Sequence, residues 1–319
     1  MRIFTAAAAF AATLAMAGAA YSQPLGLSTS PQGTATYSIG AAVAKVLTEK
    51  GNIQARVQPS SGTGAALALV NSGEVDVGFS NTLELLEAYQ GTGIFDKRPN
   101  PKLRTLAILF PFRVGFFVRT DSPIQSVKDM KGKTLAYGFT SQEVLRVIAD
   151  AMLASGGLTP ADVKTVLVPN LIRGVDEFIA GRVDVTLFAP GAGKVAEADA
   201  AVGGIRYISL DDSPAAVGAM QKLFPTSYMS VVNPAPNLAG IRAPIKLMHF
   251  DYTIMANADL AAARVKSILQ ILADNKEALT QTLPLFRDFN PQRMYHRLKV
   301  PYHEGAVAFY RERGIKESE

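Results

Sequence analysis

The chain has 319 residues, 48% of them hydrophobic and 18% charged, with a formal net charge of +5. Its size suits two medium cores better than one, and its Lys and Arg residues are scattered, which argues against a nucleic-acid surface and suits anionic small ligands. The absence of cysteine excludes disulfides, Cys nucleophiles, Cys-based zinc sites and lipid attachment at a processed N-terminal Cys.

Residues 1–22 read as a secretory signal peptide. Arg2 gives a short basic start, an apolar stretch follows, and Ala17-Gly18-Ala19 and Ala20-Tyr21-Ser22 fit a small-x-small rule for cleavage after Ala19 or Ser22. A free periplasmic protein is expected. Residues 25–28 form a short expected strand, and Gly33-Thr34-Ala35-Thr36-Tyr37-Ser38 opens a helix that ends at Gly51. Residues 53–58 alternate as a strand, Ser60-Ser61-Gly62-Thr63-Gly64 is a loop, and residues 65–71 form a helix stopped by Gly73. Residues 75–79 are a buried strand, after which Ser80 or Asn81 can cap a helix over 83–89. Residues 106–110 and 114–119 read as two strands flanking Pro111, a first crossover between lobes.

In the second half, a short helix and turn over 126–133 leads into a strand at 134–137, and residues 143–153 are a helix ended by Gly156-Gly157. Thr159 with Pro160 starts another helix. The second lobe closes near 205–209, residues 225–233 return to the first lobe, and residues 258–283 form one long helix with Leu260, Val265, Ile268, Leu269, Ile271 and Leu272 on its apolar side. A helix over 305–313 ends the chain. Strands alternating with helices predict an α/β protein with largely parallel sheets, whose ligands bind in loops at the carboxyl ends of strands.

Two stretches follow one script. Val57-Gln58-Pro59-Ser60, a helix and Gly73-Glu74-Val75-Asp76-Val77 match Val166-Leu167-Val168-Pro169-Asn170, a helix and Gly181-Arg182-Val183-Asp184-Val185, with Asp76 and Asp184 separated by 108 residues. Each copy reads strand, loop, helix, strand, loop, helix, strand. Two such units imply two similar lobes with a ligand between them: lobe I from residues 23–112 and 229–319, lobe II from 113–228. The paired Asp residues are expected to serve the fold by accepting backbone amides near a helix start.

The loops 29–38, 60–64, 80–82 and 139–142 share one chemistry: small hydroxyl or amide side chains beside the amides of a helix start, a combination that binds carboxylates and phosphates through neutral donors and the helix dipole. The expected ligand contacts are Gln32, Thr34, Tyr37, Ser60, Ser61, Thr63, Asn81, Thr140, Ser141 and Gln142. Arg113, at the crossover, and Arg173, in a loop facing the cleft, can fork onto a carboxylate. Gly191-Ala192-Gly193-Lys194 fails as a phosphate loop, because Phe188 stands where the first Gly belongs and Val195 follows the Lys. His249, His296 and His303 match no metal spacing, Asp211-Asp212 reads as a turn, and no G-x-S-x-G elbow occurs. No catalytic residue, cofactor or metal is expected.

Ser30-Pro31-Gln32-Gly33-Thr34-Ala35-Thr36-Tyr37-Ser38, Gly73-Glu74-Val75-Asp76-Val77, Ala88-Tyr89-Gln90-Gly91, Val127-Lys128-Asp129-Met130-Lys131-Gly132-Lys133 and the tail Pro301-Tyr302-His303-Glu304-Gly305-Ala306-Val307-Ala308-Phe309-Tyr310-Arg311-Glu312 together resemble the TAXI family, the extracytoplasmic solute receptors of TRAP transporters. The resemblance spans nearly the whole mature chain. It implies a monomeric two-lobed periplasmic binding protein, each lobe a central mixed or parallel sheet flanked by helices, that gives a small carboxylate such as glutamate or 2-oxoglutarate to a TRAP-type permease. It implies ligand contacts from Thr34 and Tyr37, Ser60 to Thr63, Asn81, and Thr140 to Gln142. Two departures stand out: Pro31-Gln32 intrudes into the first loop, and Thr140-Ser141-Gln142 stands where the family often has Gly-Ser-Gly. A receptor for an ABC importer or a sensor system is the alternative, and a secreted enzyme on the same scaffold is a third reading with no base or nucleophile to support it.

Overall fold

The computed structural model describes residues 24–318, so the signal-peptide expectation for residues 1–22 lies outside the described residues. The buried strand β1 (Leu25–Thr29) leads into α1 (Ala35–Gly51), capped by the Thr34 side chain, which accepts the Tyr37 amide. β2 (Ala55–Pro59), α2 (Thr63–Ser72), β3 (Val77–Asn81) and α3 (Thr82–Gln90) follow. Asn81 rather than Ser80 caps α3, its side chain accepting the Glu84 amide. The long strand β4 (Leu103–Arg119) then crosses to a second unit.

That unit contains β5 (Thr134–Gly138), α4 (Val144–Ser155), β6 (Lys164–Val168), α5 (Leu171–Ile179), β7 (Thr186–Phe188), α6 (Gly193–Ala201), β8 (Ile205–Tyr207) and α7 (Pro214–Leu223). β9 (Tyr228–Val232) and the long β10 (Ile245–Asn257) return, and α8 (Ala262–Asp274), α9 (Lys276–Thr282) and α10 (Glu304–Arg313) complete the chain. The strand order is β2-β1-β3-β10-β4-β7, with β8 on β4 and β9 on β10, while β5 and β6 pair in parallel and a bridge from Leu135 to Val185 ties β5 to β7. The result is the expected α/β architecture of two lobes, joined by the antiparallel ribbon of β4 and β10.

The internal repeat is built into this geometry. Asp76 Oδ2 accepts the Gly26 amide at 2.7 Å and Asp184 Oδ2 accepts the Thr134 amide at 2.8 Å, in both cases across a separation of 50 residues. Each carboxylate thus fastens the strand that opens its repeat, not the helix start the sequence suggested.

Four local expectations change. Residues 106–119 form one strand, not two: Pro111 sits inside β4 opposite Asp251 of β10, and the ladder slips register beside it, between Tyr252 and Thr253. A proline has no amide to give a ladder, and a local irregularity accommodates it. The expected boundary after residue 112 therefore falls within a continuous strand. β10, for which the sequence suggested no element, is the main partner of β4. The single helix expected over 258–283 is two, broken at Asn275, whose side-chain amide donates to the Ile271 carbonyl at 2.8 Å; such side chains compete with the helical backbone. Thr159 does form a capping box with Asp162, yet only a 3-10 turn, Pro160–Asp162, follows.

The C-terminal helix is tied to β4 by Tyr310, which is fully buried and whose hydroxyl donates to the Leu106 carbonyl at 2.5 Å. Replacing it with phenylalanine keeps the ring and leaves that carbonyl without its donor. Tyr310→Phe is expected to lower stability by about 1–2 kcal/mol in urea unfolding; an unchanged midpoint would refute this account of the helix's attachment.

Candidate functional site

A cavity of about 60 Å3 lies between the two lobes, space for several waters or a small ligand. One side is built from the starts of the first three helices: Ser30 and Thr34 to Thr36 before and within α1, Thr63 at α2, and Asn81 at the cap of α3. These are the carboxyl ends of β1, β2 and β3, where parallel strands release the chain into loops and helix amides lack intrahelical partners. The opposite side comes from Gln142, Val144, Leu145 and Ile148 at α4, Leu171 at α5, and Leu187 to Ala189 at the end of β7.

The β4–β10 ribbon forms the floor. Alternation along each strand turns Phe112 and Val114 of β4 and Phe250 and Tyr252 of β10 toward the cavity. Phe112 stacks on Tyr252 with ring centroids 4.6 Å apart and on Phe250 at 5.6 Å. The Tyr252 hydroxyl meets the Thr36 hydroxyl at 2.7 Å, which fixes the start of α1 to the floor.

The lobes touch at two rims. The Lys194 amide donates to the Gly33 carbonyl at 3.4 Å. At the other rim a Cβ on Gly62 would stand 2.7 Å from both the Ser141 carbonyl oxygen and Gln142 Cγ, so only a residue without a side chain allows this approach. Gln142 is itself anchored, its Oε1 accepting the Leu171 amide at 2.8 Å. The two lobes therefore meet on both sides of the cavity.

No charged residue lines the cavity among the described residues. Behind the lining residues Thr63 and Asn81 lies the Glu84 carboxyl, 1% exposed. It accepts from the Thr63 hydroxyl at 2.8 Å, the Ser80 hydroxyl at 3.0 Å and the Asn81 side-chain amide at 3.3 Å. Burial pushes its pKa up to about 7, against the lowering effect of the Thr63 and Ser80 hydrogen bonds. Ser30, 4% exposed, lines the cavity, and among the described residues no group hydrogen-bonds its hydroxyl.

The residues expected from sequence divide between this cavity and its surroundings. Thr34, Thr63, Asn81 and Gln142 line it. Tyr37 is half-buried on α1 outside it, Ser60 spends its hydroxyl near the Thr29 and Gly62 carbonyls, and Gln32 and Ser61 are exposed. Thr140 and Ser141 line a separate groove of about 340 Å3 with Gly64, Ala65 and Glu84. Arg113 lies on the opposite face of the ribbon, in a groove of about 530 Å3, paired with Asp288 and with its Nε buried and unpartnered. Arg173 sits in the first turn of α5, not in a loop, exposed and paired with Asp176 at 3.0 Å. Both arginines thus have carboxylate partners and neither lines the cavity.

Lys194, from the failed phosphate-loop match, is largely buried and paired with Asp176 at 2.8 Å and with Glu197. Asp211 accepts the Ser213 amide at 2.9 Å, a turn before α7. His249 stacks with Tyr228 on the ribbon, His296 lies 3.6 Å from Asp251, and His303 caps α10. Among the described residues no group of three or more His, Cys, Asp or Glu could hold a metal, and no helix is long and apolar enough to cross a membrane.

The sequence reading missed Ser30, Thr36, the aromatic floor and the apolar wall of α4 and β7. The alternation Phe110, Phe112, Val114 was a usable signal for a strand with one face buried. Nothing in the sequence said that this face would meet Phe250 and Tyr252, more than a hundred residues away.

The NMT1-like family profile matches residues 27–314. Among solved structures, PhnD1 from Prochlorococcus marinus in complex with methylphosphonate superposes with a TM-score of 0.56 at 12% identity, over 92% of this chain and 98% of that one. A binding protein component of an ABC phosphonate transporter from Pseudomonas aeruginosa gives 0.54 at 10% identity, over 84% and 80%. The amino acid ABC transporter substrate-binding protein AbpA from Streptococcus pneumoniae, bound to L-arginine, gives 0.50 at 12% identity, over 83% and 95%. Such identities establish shared architecture alone: a two-lobed α/β fold like that of the periplasmic binding proteins.

Proposed function

The chain belongs to the NMT1-like family, and from that premise we propose that it is an extracytoplasmic solute receptor that captures a small organic acid between its lobes and delivers it to a membrane importer. One observation carries this reading: a cavity lined by both lobes, with helix starts and neutral donors on one side. Residues 23–112 with 229–319 move as one lobe and residues 113–228 as the other, hinged at the β4–β10 ribbon and closing on the ligand. Thr34, Thr63, Asn81, Gln142 and Ser30 hold the solute; Arg113 and Arg173, each already paired, do not. Residues 1–22 direct secretion to the periplasm, and the mature protein works as a monomer without performing chemistry.

The importer on this reading is a TRAP-type permease, supported by the motifs that resemble the TAXI receptors along nearly the whole chain. The second reading, a receptor for an ABC importer, is supported by the fold shared with binding proteins of ABC phosphonate and amino acid transporters. Uptake of labelled solute into cells separates them: a TRAP partner fails when the ion gradient is collapsed, an ABC partner when ATP is depleted.

The receptor reading itself is tested by thermal unfolding of ligand-free protein against a library of organic and amino acids. A ligand at one hundred times its Kd adds about 2.7 kcal/mol to stability, so a correct solute is expected to raise the Tm by several degrees. A complete library without a shift would count against the function.

A further inference from the structure

We infer that the solute is a monoanionic acid with a short branched or aromatic apolar body, and that the cavity rejects dicarboxylates. The inference rests on the receptor function proposed above and narrows its substrate class.

The cavity has two unlike poles. At one, Ser30, a buried residue whose hydroxyl has no hydrogen-bond partner among the described residues, lines the cavity with Thr36, Asn81 and the start of α1. These neutral donors and helix amides can hold one carboxylate. At the other pole stand Leu145 and Ile148 of α4, Leu187 of β7, and the rings of Phe112 and Phe250. A second carboxylate would lie against this wall with no Lys or Arg to pair with, and a charge buried without a partner is strongly disfavoured. An isopropyl or phenyl group, in contrast, replaces water against the same wall and gains from its burial.

The test is calorimetric titration of wild-type protein with 3-methylbutanoate, 4-methyl-2-oxopentanoate and phenylacetate against succinate, glutamate and 2-oxoglutarate. At least one apolar-bodied monoacid is expected to bind tenfold or more tightly than every dicarboxylate. A Leu145→Arg variant, which brings a cation to the apolar pole from a half-buried position, is expected to lose tenfold for that monoacid and gain for 2-oxoglutarate. Dicarboxylates binding as tightly as the monoacids in the wild type would overturn the inference and leave the receptor function standing, whether or not the variant folds. Binding of neither class would overturn both.

Discussion

Replacing Gly62 with valine is expected to leave the ligand-free protein folded and to weaken solute binding by tenfold to a hundredfold. Gly62 adopts an extended conformation that any residue can take, with φ 177° and ψ 179°, so the substitution creates no backbone strain. Its effect appears only on closure, when the new Cβ would lie 2.7 Å from the Ser141 carbonyl and Gln142 Cγ of the facing lobe. Overpacking of this kind costs about 1–3 kcal/mol, and each 1.4 kcal/mol is about tenfold in affinity. The open form makes no such contact and is unaffected. Titration with the tightest-binding acid, alongside small-angle scattering with and without it, is the measurement. Ser61→Val, at the exposed neighbouring position, should bind normally. If Gly62→Val binds as well as wild type, the two rims do not meet in the liganded protein.

The second large effect concerns pH. Glu84 has a folded pKa of about 7, raised from an ordinary 4.5 chiefly by burial. For an acid raised on folding, the folded state holds a proton that the unfolded chain has lost. Its contribution to stability is therefore full below pH 4.5, declines as pH rises, and is gone above about 7. Between pH 5 and pH 8 the loss is roughly 2–3 kcal/mol, at about 1.4 kcal/mol for each pH unit crossed below 7.

Other groups are shifted by burial as well. Burial raises Glu87 on the same helix and lowers His249 and His303, and the two histidines act with opposite sign, since a depressed His destabilises the fold on acidification. The difference between wild type and Glu84→Gln isolates the one carboxyl. The variant is expected to resemble wild type near pH 4.5 and to be more stable by roughly 2–3 kcal/mol at pH 8, because an amide fills the same space without a charge to bury. Chemical denaturation across that range reads the difference directly. A gap that stays constant with pH would mean that Glu84 is not protonated in the folded protein at neutral pH.

The same carboxyl shows where sequence reading stops. Glu84 reads as one polar position in the first turn of a capped helix, and the cap was visible in Asn81. That it would be 1% exposed, and would hold Thr63 from another loop, depends on how α2 and α3 pack. The two arginines show the converse. Their charge and position made them attractive carboxylate ligands, but Asp288 and Asp176, which occupy them, are a long-range partner and a helical neighbour that a search for cleft residues does not weigh. Thr34, Thr63, Asn81 and Gln142 were legible because each lies at a strand-to-helix junction, a feature local in sequence.

By itself the sequence determined the alternation of strands and helices, the duplicated unit with its paired Asp76 and Asp184, and the polar loops that open the helices. All of these follow from periodicity, capping and turn chemistry, which act over a few residues, or from direct repetition of a pattern. The tertiary structure decided the rest: that Pro111 lies within one continuous strand, that β10 runs beside it, and that Phe112, Phe250 and Tyr252 form an aromatic floor under a cavity lined by no charged side chain among the described residues. Those outcomes are set by which distant segments exclude water together, and burial between segments separated by more than a hundred residues leaves no local signature in either one.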